Sequence, residues 1–295
     1  MMPLRIVHSK QNARLKELRR ALANPGRDGQ GLAGIEGPNL IEEALRAGLA
    51  VDCVFVAEGA ERLLDSLALP QEAEILLMPR DLLDSVLATE TPQPVAALIK
   101  PPTWTWADLV DRGPESAPLI VVLAGIQDPG NLGTMLRSAE AFGASGILSL
   151  PGTVSAWNPK AVRASAGSVF RVPLFCMTAE DSFRRLHEAG VKIWTTAVVG
   201  AEAAERVNLA GPVALLIGNE GNGVAAELAA RADGAITIPC PGPVESLNAA
   251  VAASVLLYEA SRQRTGSEAS TSHPSRKNKD AARMGHPDPV AGGRR

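Results

Sequence analysis

Between Leu119 and Arg262, short unbroken apolar runs alternate with helical stretches, and this alternation restricts the fold more than any other feature of the sequence. Ile120–Ala124 is apolar at every position, as expected of a strand covered on both faces. Comparable runs follow at Gly146–Leu150, Ile193–Val199, Val213–Ile217 and Ala235–Ile238. Helical stretches fall at Leu132–Phe142, Ala179–Ala189, Val224–Ala232 and Ser246–Arg262. Strands joined through helices pair in parallel, so this segment predicts a doubly wound α/β sheet with ligands at the carboxyl ends of the strands.

A second, smaller α/β series precedes it. His8–Leu22 interleaves Ala13, Leu15, Leu18 and Leu22 with Lys10, Arg14, Lys16, Arg19 and Arg20, predicting a basic amphipathic helix. A glycine-rich break at Gly26–Gly34 follows, then Pro38 at the first turn of a helix that Gly48 ends. Strands are predicted at Val51–Val56, Glu74–Met78 and Val95–Ile99, with helices at Ala60–Leu69 and Arg80–Leu87. The domain map expected is therefore 1–100, a linker at 101–118 rich in proline, the main domain at 119–262, and a disordered basic tail at 263–295. Trp104 and Trp106 are expected to pin the linker to a surface.

Composition excludes several function classes. Aromatics make up 3% of the chain, which argues against base-stacking platforms as the main grip on a nucleic acid. Cys53, Cys176 and Cys240 are far apart, with no zinc spacing, and are expected to be small buried hydrophobes in a reducing compartment; no metal site is expected. The start MMPLRIVHSK carries no apolar run of signal-peptide length, and no stretch of membrane-spanning length occurs, so the expected location is the cytoplasm, with no membrane partner. Net charge is −3, yet Met1–Arg27 holds seven Lys or Arg against one Glu, and Arg262–Arg295 holds eight against three acidic residues. Basic ends on an acidic body suit phosphate contacts at the ends, and a solvated helix with a charged tail explains the same pattern.

Three strand-to-loop transitions have unusual chemistry. In the first, Gly125-Ile126-Gln127-Asp128-Pro129-Gly130-Asn131-Leu132-Gly133-Thr134, a turn delivers Asn131 to a helix start and Arg137 projects from the second turn. A free helix N-terminus binds anions, and an arginine fork grips phosphate. The second, Ile217-Gly218-Asn219-Glu220-Gly221-Asn222-Gly223, sets Glu220 among glycines that permit close backbone approach or positive φ. In the third, Ile238 to Asn248, a proline-rich loop feeds a helix that Ser246 is expected to cap, leaving Asn248 in its first turn. Ala249, Ala250, Ala252 and Ala253 give that helix a small face suited to close packing.

In this order and at these strand ends, the three motifs resemble those of the SpoU/TrmH family of RNA 2'-O-ribose methyltransferases, over roughly Leu119–Arg262. Asn158-Pro159-Lys160-Ala161-Val162-Arg163-Ala164-Ser165-Ala166-Gly167 is similar to the family's loop before the next strand. Ile35-Glu36-Gly37-Pro38-Asn39-Leu40-Ile41-Glu42-Glu43-Ala44 resembles its N-terminal RNA substrate-binding domain, which has a ribosomal-protein-like α/β fold.

The resemblance implies more than periodicity can. It implies a SPOUT domain with a deep trefoil knot, a homodimer that completes the site, and S-adenosylmethionine bound by backbone around Thr195–Gly200, Ile217–Asn222 and Ile238–Leu247. Thr195, Gly200, Ile217, Gly218, Asn219, Gly221, Ile238 and Leu247 are the implied cofactor contacts. Arg137, Asn131, Glu220, Ser246 and Asn248 are the implied catalytic set, with Arg137 on an RNA phosphate and Asn131 fixing its geometry. Lys10, Arg14, Arg19 and Arg20 are the candidate RNA contacts. The implied substrate is RNA rather than DNA, large-subunit ribosomal RNA first; transfer RNA, and a catalytically silent RNA-binding or ribosome-assembly factor on the same fold, are the alternatives.

Overall fold

The computed structural model describes residues 4–23, 31–87, 89–111, 113, 116–244 and 246–271, the last six of these by backbone alone. The N-terminal lobe contains β1 (Leu4–Ile6), α1 (Ala13–Ala23), β2 (Ala33–Glu36), α2 (Pro38–Arg46), β3 (Val51–Ala57), β4 (Glu74–Met78), α3 (Arg80–Asp84) and β5 (Val95–Ile99). Its sheet runs β1-β4-β3-β5-β2, with β1, β4 and β3 parallel and β5 antiparallel to β3 and β2.

α4 (Trp106–Val110) leads to the second lobe, formed by β6 (Leu119–Ala124), α5 (Pro129–Ala141), β7 (Gly146–Ser149), α6 (Pro159–Ala164), β8 (Leu174–Cys176), α7 (Ala179–Glu188), β9 (Lys192–Thr196), β10 (Glu202–Ala203), β11 (Val213–Gly218), α8 (Ala226–Ala229), β12 (Gly234–Thr237) and α9 (Ala249–Thr271). All pairs in its seven-stranded sheet, β10-β12-β9-β11-β6-β7-β8, are parallel. The apolar runs are strands because both faces are covered: every residue of β6 and of β11 is buried.

The structure differs from the sequence reading where tertiary packing decides. Gly34, assigned to a break, lies inside β2, where a Cβ would come within 2.8 Å of Leu22 on α1; close helix packing requires glycine there. Residues 24–30 of that break lie outside the described residues. The helix expected at Ala60–Leu69 is a 3₁₀ turn, Glu61–Ser66, with no buried residue to hold a longer helix. The proline-rich linker contains α4, closed by a Thr105/Asp108 capping box and anchored by the fully buried Leu109. Trp106 does pin it: its ring meets Phe175 edge-on at 6.2 Å, and the Arg185 guanidinium lies 5.1 Å from the ring centre.

The stretch read as a loop at Asn158–Gly167 holds α6, which Asn158 caps by accepting from Lys160 N–H at 2.9 Å. β9 ends at Thr196, and Val198 and Val199 beyond it are exposed. α9 runs past Arg262 to Thr271, so the start of the expected tail belongs to the fold; residues 272–295 lie outside the described residues. Gln263 accepts from Leu209 N–H at 2.8 Å, and Arg264 donates to the Gly211 carbonyl at 2.7 Å. Of the cysteines only Cys53 is buried, and burial pushes its thiol up to about 12; Cys176 and Cys240 are exposed.

One apolar cluster runs through both lobes, from Ile35, Ile41 and Val54 to Leu123, Leu136 and Leu257. Arg171 ties the lobes at the surface, with its guanidinium donating to Glu43 on α2 at 2.7 Å and to Glu140 on α5. Inside the second lobe α5 crosses α6 closely, since a Cβ on Gly133 would stand 2.5 Å from the Ala161 carbonyl oxygen.

Candidate active site

The carboxyl ends of β6 and β11 lie side by side, with Gly218 paired to Ala124. This is where the strand order reverses, the place at which open parallel sheets bind ligands. The chain leaves β6 through Gly125, at φ 77°, and enters α5 at Asp128, whose carboxylate caps the helix by accepting from Gly130 N–H at 2.8 Å.

Across from it, the loop after β11 folds on Asn219. The Asn219 Nδ2 donates to the Gly125 carbonyl at 2.8 Å, while its Oδ1 accepts from Gly221 N–H and Asn222 N–H at 2.9 and 3.1 Å. Gly218 is needed because a Cβ there would lie 2.1 Å from the Gly223 carbonyl carbon. Its side-chain position is therefore filled by its own loop. Ile217 is likewise part of the core, and Gly221 is exposed.

That turn presents Glu220 to the start of α5. Its carboxylate accepts from Gln127 N–H (3.1 Å), Asp128 N–H (3.1 Å) and Asn131 Nδ2 (3.0 Å). Burial alone raises this carboxyl, but the donors from Asn131 and the main chain outweigh it and hold the group below its ordinary value. An ionised acceptor dictates which way the Asn131 amide points: the NH2 faces Glu220, so Oδ1 faces α9. There it accepts from Asn248 Nδ2 at 3.1 Å. Asn248, rather than Ser246, caps α9, its Oδ1 accepting from Ala250 N–H and Val251 N–H at 2.9 and 3.2 Å. Helix α9 begins at Ala249, three residues later than expected, directly after the Asn248 cap.

Asn131, Glu220 and Asn248 thus form one hydrogen-bonded chain joining all three motifs. Arg137 stands apart from it, exposed on α5 and with no hydrogen bond or ion pair among the described residues. Ser246 is exposed beside the cap and makes no bond to the chain. The sequence reading missed Asp128; an Asp-Pro pair opening a helix is the cap signal that finds it. It also missed Lys160, whose ammonium lies 3.4 Å from the Asp128 carboxylate.

The residues expected around a cofactor lie at or beyond the carboxyl ends of the parallel strands β9, β11 and β12. Thr195, next to last in β9, has its hydroxyl buried and without a hydrogen-bond partner among the described residues. Gly200, at φ 71°, turns the exposed loop after it. Ile238 and Leu247, both half-buried, bracket the proline-rich loop. An orphan buried hydroxyl, open main chain and apolar flanks fit a ligand with both a polar and an apolar part. Of the four candidate RNA contacts, Lys10, Arg19 and Arg20 are exposed, whereas Arg14 is taken up by Glu17, Asp52 and Glu74 at 2.8–2.9 Å. Arg14 therefore drops out of the candidate phosphate contacts, its charge being already neutralised.

Residues 118–258 match the SpoU rRNA methylase family, and residues 12–97 match the MRM3-like substrate-binding domain. The chain is 32% identical over 256 residues to the 23S rRNA (guanosine(2553)-2'-O)-methyltransferase RlmP of Bacillus subtilis, covering 85% of this chain and 97% of that protein. The chain belongs to the SpoU rRNA methylase family.

Solved structures place this SpoU methylase in the same fold. The SpoU methyltransferase AviRb from Streptomyces viridochromogenes, in complex with AdoMet, is 28% identical with a TM-score of 0.73, over 86% of this chain and 99% of that one. An AdoMet-bound rRNA methyltransferase from Sinorhizobium meliloti is 30% identical with a TM-score of 0.74, over 88% and 98%. The parallel α/β architecture expected from the apolar runs is the architecture of these enzymes.

Proposed function

We propose that this SpoU methylase transfers a methyl group from S-adenosylmethionine to a ribose 2'-hydroxyl of large-subunit ribosomal RNA. The observation that carries the reading is the hydrogen-bonded chain Asn248–Asn131–Glu220 at the reversal of strand order, with Arg137, unpaired among the described residues, on the helix that holds Asn131. Kinship with RlmP, named for 23S rRNA, supports the substrate class.

When bound, S-adenosylmethionine supplies an electrophilic methyl group. Main chain around Thr195–Gly200, Ile217–Asn222 and Ile238–Leu247 would hold it, with the Thr195 hydroxyl gaining the partner it lacks. A 2'-hydroxyl is a weak nucleophile at neutral pH and needs exact placement and loss of its proton. A guanidinium stays charged, so Arg137 grips the adjacent phosphate and stabilises negative charge developing on the ribose oxygen, while the hydroxyl proton leaves to that phosphate or to water as the methyl is transferred. Glu220 has its lone pairs occupied and is no base; it is a positioning residue that fixes Asn131, as Asn248 does from the other side. Ser246, exposed beside the cap, faces the substrate side. Lys10, just before α1, and Arg19 and Arg20 on it supply phosphate contacts.

The reading includes a homodimer. Val251, Val255 and Tyr258 recur at helical spacing on α9 and are 48%, 38% and 54% exposed, an apolar stripe that a second copy would cover. It also includes a trefoil knot, supported by the position of β11 between β9 and β6 and by the return of the chain to Asn131 at Asn248. A cytoplasmic site of action goes with ribosomal RNA, and among the described residues no helix is long and apolar enough to cross a membrane. The test is transfer from labelled S-adenosylmethionine to separated ribosomal and transfer RNA, followed by nucleoside analysis. A labelled 2'-O-methyl nucleoside from large-subunit RNA is expected; label confined to a base, or to transfer RNA, would overturn the reading.

A further inference from the structure

The two sequence stretches that the reaction leaves unused meet in space. Glu36 ends β2 and Lys160 and Arg163 lie on α6, and together with Leu22, Thr89 and Gln93 they line a cleft of about 740 Å³ between the lobes. That volume lies within the range of about 300–1,000 Å³ typical of pockets that engulf a small ligand.

Glu36 is 6% exposed, and its two oxygens differ. Oε1 accepts from Thr89 Oγ1 at 2.8 Å and from Gln93 N–H at 2.7 Å. Oε2 is buried and accepts no hydrogen bond among the described residues. Arg163 approaches it only to 3.8 Å, an ion-pair distance too long for a hydrogen bond. A buried carboxylate oxygen with an open lone pair is costly unless a donor reaches it. Two cations, Lys160 and Arg163, and one exposed carboxylate, Glu90, stand on the rim, and Lys160 joins it to the reaction centre through its 3.4 Å contact with the Asp128 cap.

We propose that this cleft binds an unstacked nucleobase of the RNA substrate, a neighbour of the methylated nucleotide, and that Glu36 Oε2 selects a base carrying an exocyclic amino group. The inference rests on the RNA methyltransferase reading and adds a specificity-determining residue to it. Unstacked bases are read through hydrogen bonds to their edges, and a carboxylate accepts from an amino group. Lys160 and Arg163 hold the flanking phosphates, so the strand passes from the 2'-hydroxyl along α6 into the cleft.

The Glu36→Gln change is a discriminating test because two donors already face Oε1. The amide oxygen must stay with Thr89 and Gln93, which turns the amide NH2 into the cleft and replaces an acceptor with a donor. Binding of short single-stranded cytidine and uridine oligonucleotides, measured by fluorescence anisotropy, reads this directly, since the bases match in size and invert their pairing edge: cytosine offers the exocyclic amino donor beside an N3 acceptor, uracil a carbonyl beside an N3–H. The wild type is expected to prefer cytidine by about tenfold, the worth of one well-placed base contact. Glu36→Gln is expected to abolish or reverse that preference, with unfolding temperature and S-adenosylmethionine binding unchanged. Lys160→Ala and Arg163→Ala should weaken both oligonucleotides alike and flatten the salt dependence. A wild type with no preference, or a preference that survives in Glu36→Gln, overturns the inference while methyl transfer to ribosomal RNA stands. Failure of the wild type both to bind RNA and to methylate it overturns this inference and the proposed function together.

Discussion

Asn248 Nδ2 and Asn131 Oδ1 lie 3.1 Å apart although 117 positions separate them in the chain. The same Asn248 side chain caps α9, so its amide performs two separable tasks, one per atom. Asn248→Asp keeps the capping oxygen and removes the donor to Asn131. It should leave the unfolding temperature nearly unchanged while methyl transfer falls at least tenfold. Asn248→Ala should lose both, with about 1 kcal/mol of cap stability gone. If Asn248→Asp transfers methyl at the wild-type rate, the bond to Asn131 has no part in catalysis.

Arg137 is exposed and unpaired among the described residues, so its removal costs little in the free protein. Arg137→Ala should shift stability by no more than about 0.5 kcal/mol, yet lower kcat by about 10²–10³, the usual loss when a charge-stabilising donor is removed. Arg137→Lys should recover little, because a point charge cannot reproduce a two-pronged grip on phosphate. Single-turnover rates alongside thermal unfolding separate the two effects.

Glu220 titrates below its ordinary value because donors surround its ionised form. A depressed carboxyl adds stability that is fully present above its unfolded value, about 4.3, and is lost as the pH falls through the folded one. Glu220→Gln sets an NH2 against donors at every pH. The gap in unfolding temperature between wild type and Glu220→Gln should therefore be flat at neutral pH and close below about pH 4. A gap that widens on acidification would mean that Glu220 is protonated in the native protein.

The stripe of Val251, Val255 and Tyr258 gives the dimer proposal a direct check. Val255→Glu should turn a dimer into a folded monomer in sedimentation velocity, since a charge would be buried at the contact without a partner. Methyl transfer should fall with the dimer fraction as protein is diluted. A monomeric wild type that is fully active would remove the second copy from the site.

Much of this was legible because burial leaves a plain trace. Glu74–Met78 and Val95–Ile99 are strands over the very residues where the apolar pattern places them. The short edge strands Leu4–Ile6 and Glu202–Ala203 went unread, as a strand with exposed residues carries no such trace. Asn131, Glu220 and Asn248 could be named from their motifs. That Glu220 is saturated and that Asn248 is the cap depend on which loop faces which, and no local pattern holds that information. Arg14 looked like a free cation because its partners Asp52 and Glu74 come from other strands.

Arg171 holds Glu43 and Glu140 from opposite lobes, and one apolar cluster continues beneath it. The span between Arg137 and Glu36 is consequently a property of the folded chain rather than of a hinge, and the protein acts as a gauge. On the proposed reading, a substrate RNA must bring a ribose and a splayed-out base to that fixed separation, with the strand contorted in advance. A regular A-form duplex, with its bases stacked, cannot satisfy the gauge whatever its sequence.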